Sequence, residues 1–375
     1  MKKQLLFLAA VAALAACSET DNFKETAEAP IDFSEVFIEK ATKAPFTDVA
    51  SLKASSFGVF GSKTKQNNAV EKVFGKSSAE TNGGAEVSWN ATSNKWTYSP
   101  IRYWDKGATS YHFYAYAPYN SVTTGDNRLL GTVTWSESTA NSFKIEGFKQ
   151  NTTVANMVDI LTDLENQINN TSKQNTVNFS FKHILSNVNF LMAVSPDLKA
   201  DETNNPVSVN SITVGAVKMD GSYTYNTNAY KWTLAASPTT HTFQATQENS
   251  KVFAERALKA MTNNSTNSLT PAQISETPTK VPGLNDLLFV PQTLPTDTKY
   301  KVTIEYMIGT EPFSTTIDLN DFAKPGDNNT TIKTSEWLSG YMYNYILIIG
   351  PTPIEFDVTT IGGWANTDTY TYTIE

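Results

Sequence analysis

Apolar and polar residues alternate along most of this chain, and that period of two limits the folds open to it. The pattern runs through KWTYSPIRYW, YHFYAYAPY, TVNFSFKHI, KVTIEYMI and STTIDL, and in TYTYTIE it reaches the last residue. Side chains of a strand point alternately to opposite faces, so such stretches read as half-buried β-strands. They are short and separated by Gly, Asn and Pro, which predicts antiparallel sheets in a sandwich or barrel. Helical spacing is scarce. The best helix candidate is Lys251–Asn263, where Val252, Ala254, Ala257, Leu258 and Met261 share one face. A short turn is expected near Ala155 to Leu164. The expected fold class is mainly β, as two tandem antiparallel β-sandwich domains.

The only cysteine is Cys17, so no intrachain disulfide is available and the core must rest on packing. Its position is informative. Lys2 and Lys3 precede an apolar run, Leu5 to Ala16, that is too short to span a bilayer and has the layout of an export signal. Leu14-Ala15-Ala16-Cys17 forms a lipobox, the pattern at which bacterial lipoproteins are cut and acylated on the cysteine. Two or three acyl chains anchor durably where one does not. Residues 1–17 are therefore read as a lipoprotein signal ending in a lipidated Cys17, with a lipid anchor in the outer membrane.

The polar stretch after Cys17 reads as a tether, followed by a first strand in IDFSEVFIEK. Simple alternation puts Ile31 and Phe33 on one face of that strand and Val36 and Ile38 on the other. A mature chain of this length is long for one core. The run NQINNTSKQNT, Asn166 to Thr176, has almost no apolar residue and reads as a linker. The expected organisation is tether and first strand over 18–43, one sandwich over 44–172 and a second over 173–375.

The chain has 29 basic and 37 acidic residues, a net charge of −8 that becomes two units more negative once Lys2 and Lys3 leave with the signal. Without a basic cluster it is a poor ligand for nucleic acid. No catalytic residue, metal site or cofactor is expected. His112, His183 and His241 are the only histidines, lack HxxxH or HExxH spacing, and read as structural. Nucleophile-elbow and phosphate-loop motifs are missing. KPGDNNTT, Lys324 to Thr331, lacks the ligand ladder of a calcium loop and reads as a turn. Trp89, Trp96, Trp104 and Trp135 read as core or edge residues, with sugar stacking as the other use.

Several phrases, in order, resemble the fimbrillin family, the type V pilins of Bacteroidales. They are SFGVFGS, WTYSPIRYW, YHFYAYAPY, FSFKHILSNVNF, LLFVPQTL, EWLSGYMYNYILII and IEFDVTTIGGW. The resemblance implies transthyretin-like sandwiches and a lipoprotein precursor displayed at the cell surface. It also implies that a trypsin-like protease cuts after the first strand. The loss of that strand opens a groove, which a neighbouring subunit's extended segment fills. Carried onto these residues, the removable strand holds Ile31, Phe33, Val36 and Ile38. The cut falls at Lys43, or alternatively Lys40. The alternating Tyr370, Tyr372 and Ile374 form a donor strand or else an ordinary last strand. Partners would be other copies of the chain or related pilin subunits. The role is that of a shaft subunit in adhesion, the alternatives being an anchor, a tip, or a monomeric glycan-binding lipoprotein.

Overall fold

The computed structural model describes residues 29–38, 48–119, 131–137, 142–169, 176–226, 229–245, 251–254, 278–294, 301–318, 323–325, 331–333, 336–351 and 355–361. These are nearly all strand. The one α-helix among them is α1 (Val49–Lys53), started by a capping box in which the Ser51 amide donates to Asp48 Oδ1 at 2.8 Å and the Ser51 side chain bonds back to Asp48.

The largest sheet runs in the order β1 (Asp32–Ile38), β10 (Thr176–His183), β9 (Leu161–Asn169), β6 (Ala108–Ala117), β2 (Ser56–Lys65), β4 (Ala85–Asn90) and β5 (Lys95–Thr97), with β3 (Val70–Phe74) also on β2. Its centre is buried on both faces. In β2, Phe57 and Val59 enter one core and Phe60 the other; in β6, Tyr111, Phe113 and Ala115 oppose Tyr114 and Tyr116. That is why YHFYAYAP is apolar at nearly every position: a strand covered on both sides loses its polar alternation.

On one face lies a self-contained aromatic core that includes Ile31, Phe33, Phe57, Phe74, Trp96, Phe113 and Phe179. The other face packs on a four-stranded sheet ordered β14 (Ala229–Leu234), β13 (Asp220–Asn226), β8 (Ser142–Lys149) and β7 (Thr132–Ser136). From there the second core continues without a break into the two five-stranded sheets. One has the order β17 (Thr279–Lys280), β11 (Ser186–Val194), β25 (Met342–Ile349) and β26 (Glu355–Ile361), with β18 (Leu287–Phe289) on β11. Another has β15 (Thr239–Gln244), β12 (Val207–Val217), β20 (Lys301–Ile308) and β21 (Glu311–Asp318), with β16 (Lys251–Val252) on β12. Two short pairs are β19 (Gln292–Thr293) with β24 (Glu336–Trp337) and β22 (Ala323–Pro325) with β23 (Thr331–Lys333).

The mainly β expectation holds, and several details change. The sheets are mixed: β1 runs parallel to β10, and β11 runs parallel to β25 from Asn187/Met342 to Val194/Ile349. Parallel pairing needs a long crossover, which strands so distant in sequence possess. Of the polar run Asn166–Thr176, Asn166–Asn169 close β9 and Thr176 opens β10, two strands that pair in one sheet. The helix candidate opens instead as β16, whose Val252 pairs with Val207 of β12; tertiary pairing overrides a weak helical period. The rest of that candidate, from 255, lies outside the described residues. The turn expected over Ala155 to Leu164 shrinks to a 3-10 turn at Val154–Asn156 before β9 begins. Lys324, Pro325 and Thr331 lie on β22 and β23, which pair antiparallel around the expected turn.

Trp96, Trp104 and Trp135 are buried, and Trp89 packs edge-on against Trp96 at 5.3 Å. Gly84 shows why one glycine is required. Its φ is +73°, and a Cβ there would lie 2.5 Å from the Val59 carbonyl oxygen of β2. Gly84→Ala is expected to lower stability by about 1–3 kcal/mol, measured as a shift in the urea midpoint.

Candidate functional site

The site follows from how β1 is held. β1 is the edge strand of the large sheet, separated in sequence from everything it touches. Its partner β10 is aligned with it as Asp32/Thr176 and Phe33/Val177, then Val36/Phe179 and Ile38/Phe181. Between Phe33 and Val36 the strand carries one residue more than β10, a bulge. The slip changes which side chains face inward. Ile31, Phe33 and Val36 are 0%, 3% and 5% exposed and belong to one core, against which Ile38 also packs. The expectation that Val36 and Ile38 face away from Ile31 and Phe33 is thus corrected: the extra residue resets the phase. Asn178 of β10 marks the slip, its Oδ1 accepting from Ser34 Oγ at 2.9 Å and from the Glu35 amide at 3.3 Å.

Phe33 sits in an aromatic box. Its ring stacks on Phe179 at 5.5 Å and meets Phe57, Phe74 and Tyr98 at 6.2, 5.7 and 5.4 Å. Burying Ile31, Phe33 and Val36 is worth roughly 1.5–3 kcal/mol apiece. Without β1 those rings would line an open trough beside the unpaired edge of β10.

The residues that lead into β1, 29–31, are gripped by residues 98–105. The Ile31 amide donates to the Arg102 carbonyl at 2.8 Å, the Trp104 amide to the Ala29 carbonyl at 2.9 Å, and Pro30 bridges antiparallel to Tyr103. The Tyr98 hydroxyl donates to the Ile31 carbonyl at 2.6 Å. Burial pushes that phenol up to about 12, so it remains a donor at physiological pH. This strap is fastened at two points. At the first, Arg102 Nη2 bonds Glu80 Oε1 at 2.9 Å and Arg102 Nε bonds the Val73 carbonyl at 3.1 Å. Glu80 is buried, and its Oε2 also accepts the Gly75 and Lys76 amides. At the second, Asp105 is bonded by Lys63 at 2.6 Å and by Lys65. Hydrogen bonds from those two lysines hold its carboxyl well below the usual carboxylate range.

Past Ile38 the chain is next described at Asp48, the cap of α1. Lys40 and Lys43 lie between them, outside the described residues, as do Cys17 and the tail with Tyr370, Tyr372 and Ile374. The closing phrase IEFDVTTI supplies β26, paired antiparallel with β25. The sequence reading missed the strap and Asn178. One signal was available: Arg102 is one of three arginines in the chain.

The histidines fit a supporting role. His183 Nδ1 lies 2.8 Å from Asp159 Oδ2, both side chains fully buried. His112 stacks on Tyr114 at 4.3 Å, and its Nε2 lies 3.2 Å from the Leu164 carbonyl; burial lowers its pKa. Among the described residues no group of three or more His, Cys, Asp or Glu could hold a metal, and no helix is long and apolar enough to cross a membrane.

These features define a many-stranded β protein whose aromatic core is completed by one edge strand bound through non-local contacts. The chain belongs to the fimbrillin-like family, whose profile matches residues 42–364. It is 27% identical over 248 residues to the fimbrium subunit Fim1C of Phocaeicola vulgatus, an alignment covering 61% of this chain and 60% of that protein. A crystal structure of a fimbrial protein from Bacteroides vulgatus superposes with a TM-score of 0.50 at 18% identity, covering 90% of this chain and 99% of the other. That second likeness is one of fold.

Phe33→Ala is expected to cost about 3–5 kcal/mol of β1's attachment, read as lost amide protection over 33–37 while β20 and β21 keep theirs. Arg102→Met, which leaves Glu80 without its cation, is expected to open the same amides by about 1–3 kcal/mol without altering a β1 side chain. Unchanged protection in R102M would remove the strap from this account. Asp105 has a depressed folded-state pKa, so its stabilisation is complete above the unfolded value and is lost as pH falls through the folded one. The difference in thermal midpoint between wild type and Asp105→Asn should therefore persist from pH 7 to pH 5 and shrink only in stronger acid.

Proposed function

We propose that the protein is a pilus subunit that assembles at the cell surface by exchanging β1 for a strand of a neighbouring subunit. The observation that carries this is the seating of β1: Phe33 in an aromatic box with Ile31 and Val36 buried in the same core, at a sheet edge, joined to the rest through the segment that holds Lys40 and Lys43. A resident strand fills the trough in the precursor, and its own copy outcompetes any other at high local concentration. Cutting at Lys43, or at Lys40, severs β1 from α1 and removes that advantage. The emptied edge then favours strand addition, in which main-chain bonds give affinity and alternate side chains fill pockets.

In this reading the precursor is a lipoprotein acylated at Cys17 and held in the outer membrane until processing. The occupant comes from the C-terminal end of another copy or of a related pilin subunit, with Tyr370, Tyr372 and Ile374 as the donor side chains. The finished pilus serves adhesion. Membership of the fimbrillin-like family and the similarity to a fimbrium subunit support this reading, as does the lipobox.

The test is to digest the mature protein with trypsin and follow polymer formation by gel filtration and electron microscopy. Polymers should form after cutting, fail to form when Lys40 and Lys43 are both replaced by Gln, and fail to grow when residues 365–375 are deleted although cutting proceeds. Polymerisation of the uncut double variant at the wild-type rate would refute the trigger.

A further inference from the structure

A cleft partly walled by β10, the strand that also pairs with β1, has the makings of a binding site. It lies between the outer ends of β9 and β10 and the β13–β14 hairpin, encloses about 180 Å³, and is lined by Asp163, Glu165, Ser180, Lys182, Tyr230 and Ser339 among others. Pockets for drug-sized ligands run to about 300–1,000 Å³, so this one takes a single ring.

Tyr230 is 64% exposed, which normally leaves an aromatic side chain free to turn. Here its ring lies nearly parallel to that of buried Tyr225, 6.4 Å away at 15°. The stack fixes the plane of an exposed, amphipathic face, the kind of surface that gives contact at small entropic cost. Leu338 and Tyr341, on the turn that supplies Ser339, are also exposed. Opposite stands Asp163, whose Oδ2 accepts the Ser180 amide at 2.8 Å and Asn166 Nδ2 at 3.5 Å, so its position is set before any ligand arrives. Burial raises its pKa, the mark of a carboxylate short of water. Glu165 also lines the cleft, within the bulge that β9 carries between Asp163 and Asn166.

The chemistry narrows the ligand. A phosphate or acidic group would meet two carboxylates, an amine would meet Lys182, and a wholly apolar ring would displace water from Glu165 and from the remaining lone pairs of Asp163 without replacing its hydrogen bonds. A neutral ring bearing hydroxyls on its edge and C–H groups on its face satisfies both walls at once. We propose that this cleft binds one pyranose residue of a glycan, its C–H face against Tyr230 and its hydroxyls donating to Asp163 and Glu165. The site shares no residue with β1 or its strap, although its Ser180 is the register partner of Phe37 of β1, and its readout, glycoside binding, is separate from polymer formation.

The experiment uses the mature full chain and saturation-transfer NMR with methyl α-D-mannoside, methyl β-D-glucoside, methyl β-D-galactoside and methyl N-acetyl-β-D-glucosaminide. At least one should give a saturable ring-proton signal. Tyr230→Ala should weaken it about tenfold, Tyr230→Phe should keep it, and Glu165→Gln should weaken it. Tyr103→Ala, an exposed tyrosine at the strap, should leave it unchanged. No saturable signal from any glycoside, or a signal that survives both Tyr230→Ala and Glu165→Gln, overturns the proposal. A cleft that bound part of another subunit would instead give no glycoside signal and lose polymers in Tyr230→Ala, which also overturns it.

Discussion

The aromatic core on one face of the large sheet is closed by a strand with no local partner. Phe33 stacks on Phe179 and meets Phe57, Phe74 and Tyr98, residues drawn from five separate places in the chain. Phe57, Phe74 and Phe179 are buried and Tyr98 is half-buried, with Phe33 against all four. The geometry makes the strand indispensable to the core yet attached to it by a single covalent connection past Ile38. A sheet edge of this kind must be paired or covered, and here one segment does both: it pairs with β10 and roofs the rings.

The other half of the molecule is built differently. Its strands share one continuous core running from Phe60 and Tyr116 through Val188, Phe190 and Val209 to Ile304 and Ile349. β11 and β25 are buried along almost their whole length and run parallel, so loosening any one strand there would disturb several neighbours. β1, by contrast, is a sheet-edge strand with β10 as its ladder partner. Around it the fixed parts are charged and hydrogen-bonded, with Glu80–Arg102 at one end of the strap and Asp105 with two lysines at the other.

Much of this was legible in the sequence. The period of two in KVTIEYMI and TVNFSFKH became β20 and β10, with inward residues where alternation placed them. The apolar membership of β1 was equally plain. Its phase was not: nothing in IDFSEVFI announces the extra residue, because a bulge is set by what the partner strand offers, here the Asn178 amide oxygen. Parallel pairing was hidden for the same reason, since strand direction is decided by crossovers that leave no local mark. The polar run at 166–176 hid a strand end, since Asn166–Asn169 belong to β9 and an exposed strand end needs no apolar residue at every second place. The exposed tyrosine of the cleft was invisible too, because exposure is a property of the fold and Tyr230 sits in a strand that alternates like any other.

The bulge in β1 has a consequence for molecular identity. Its inward side chains fall at intervals of two and then three residues, with a hydroxyl between, as Ile31, Phe33, Ser34 and Val36. A segment of strict alternation laid in this register would match only the first two inward side chains, and beyond Asn178 it would need a slip of its own to keep facing the rings.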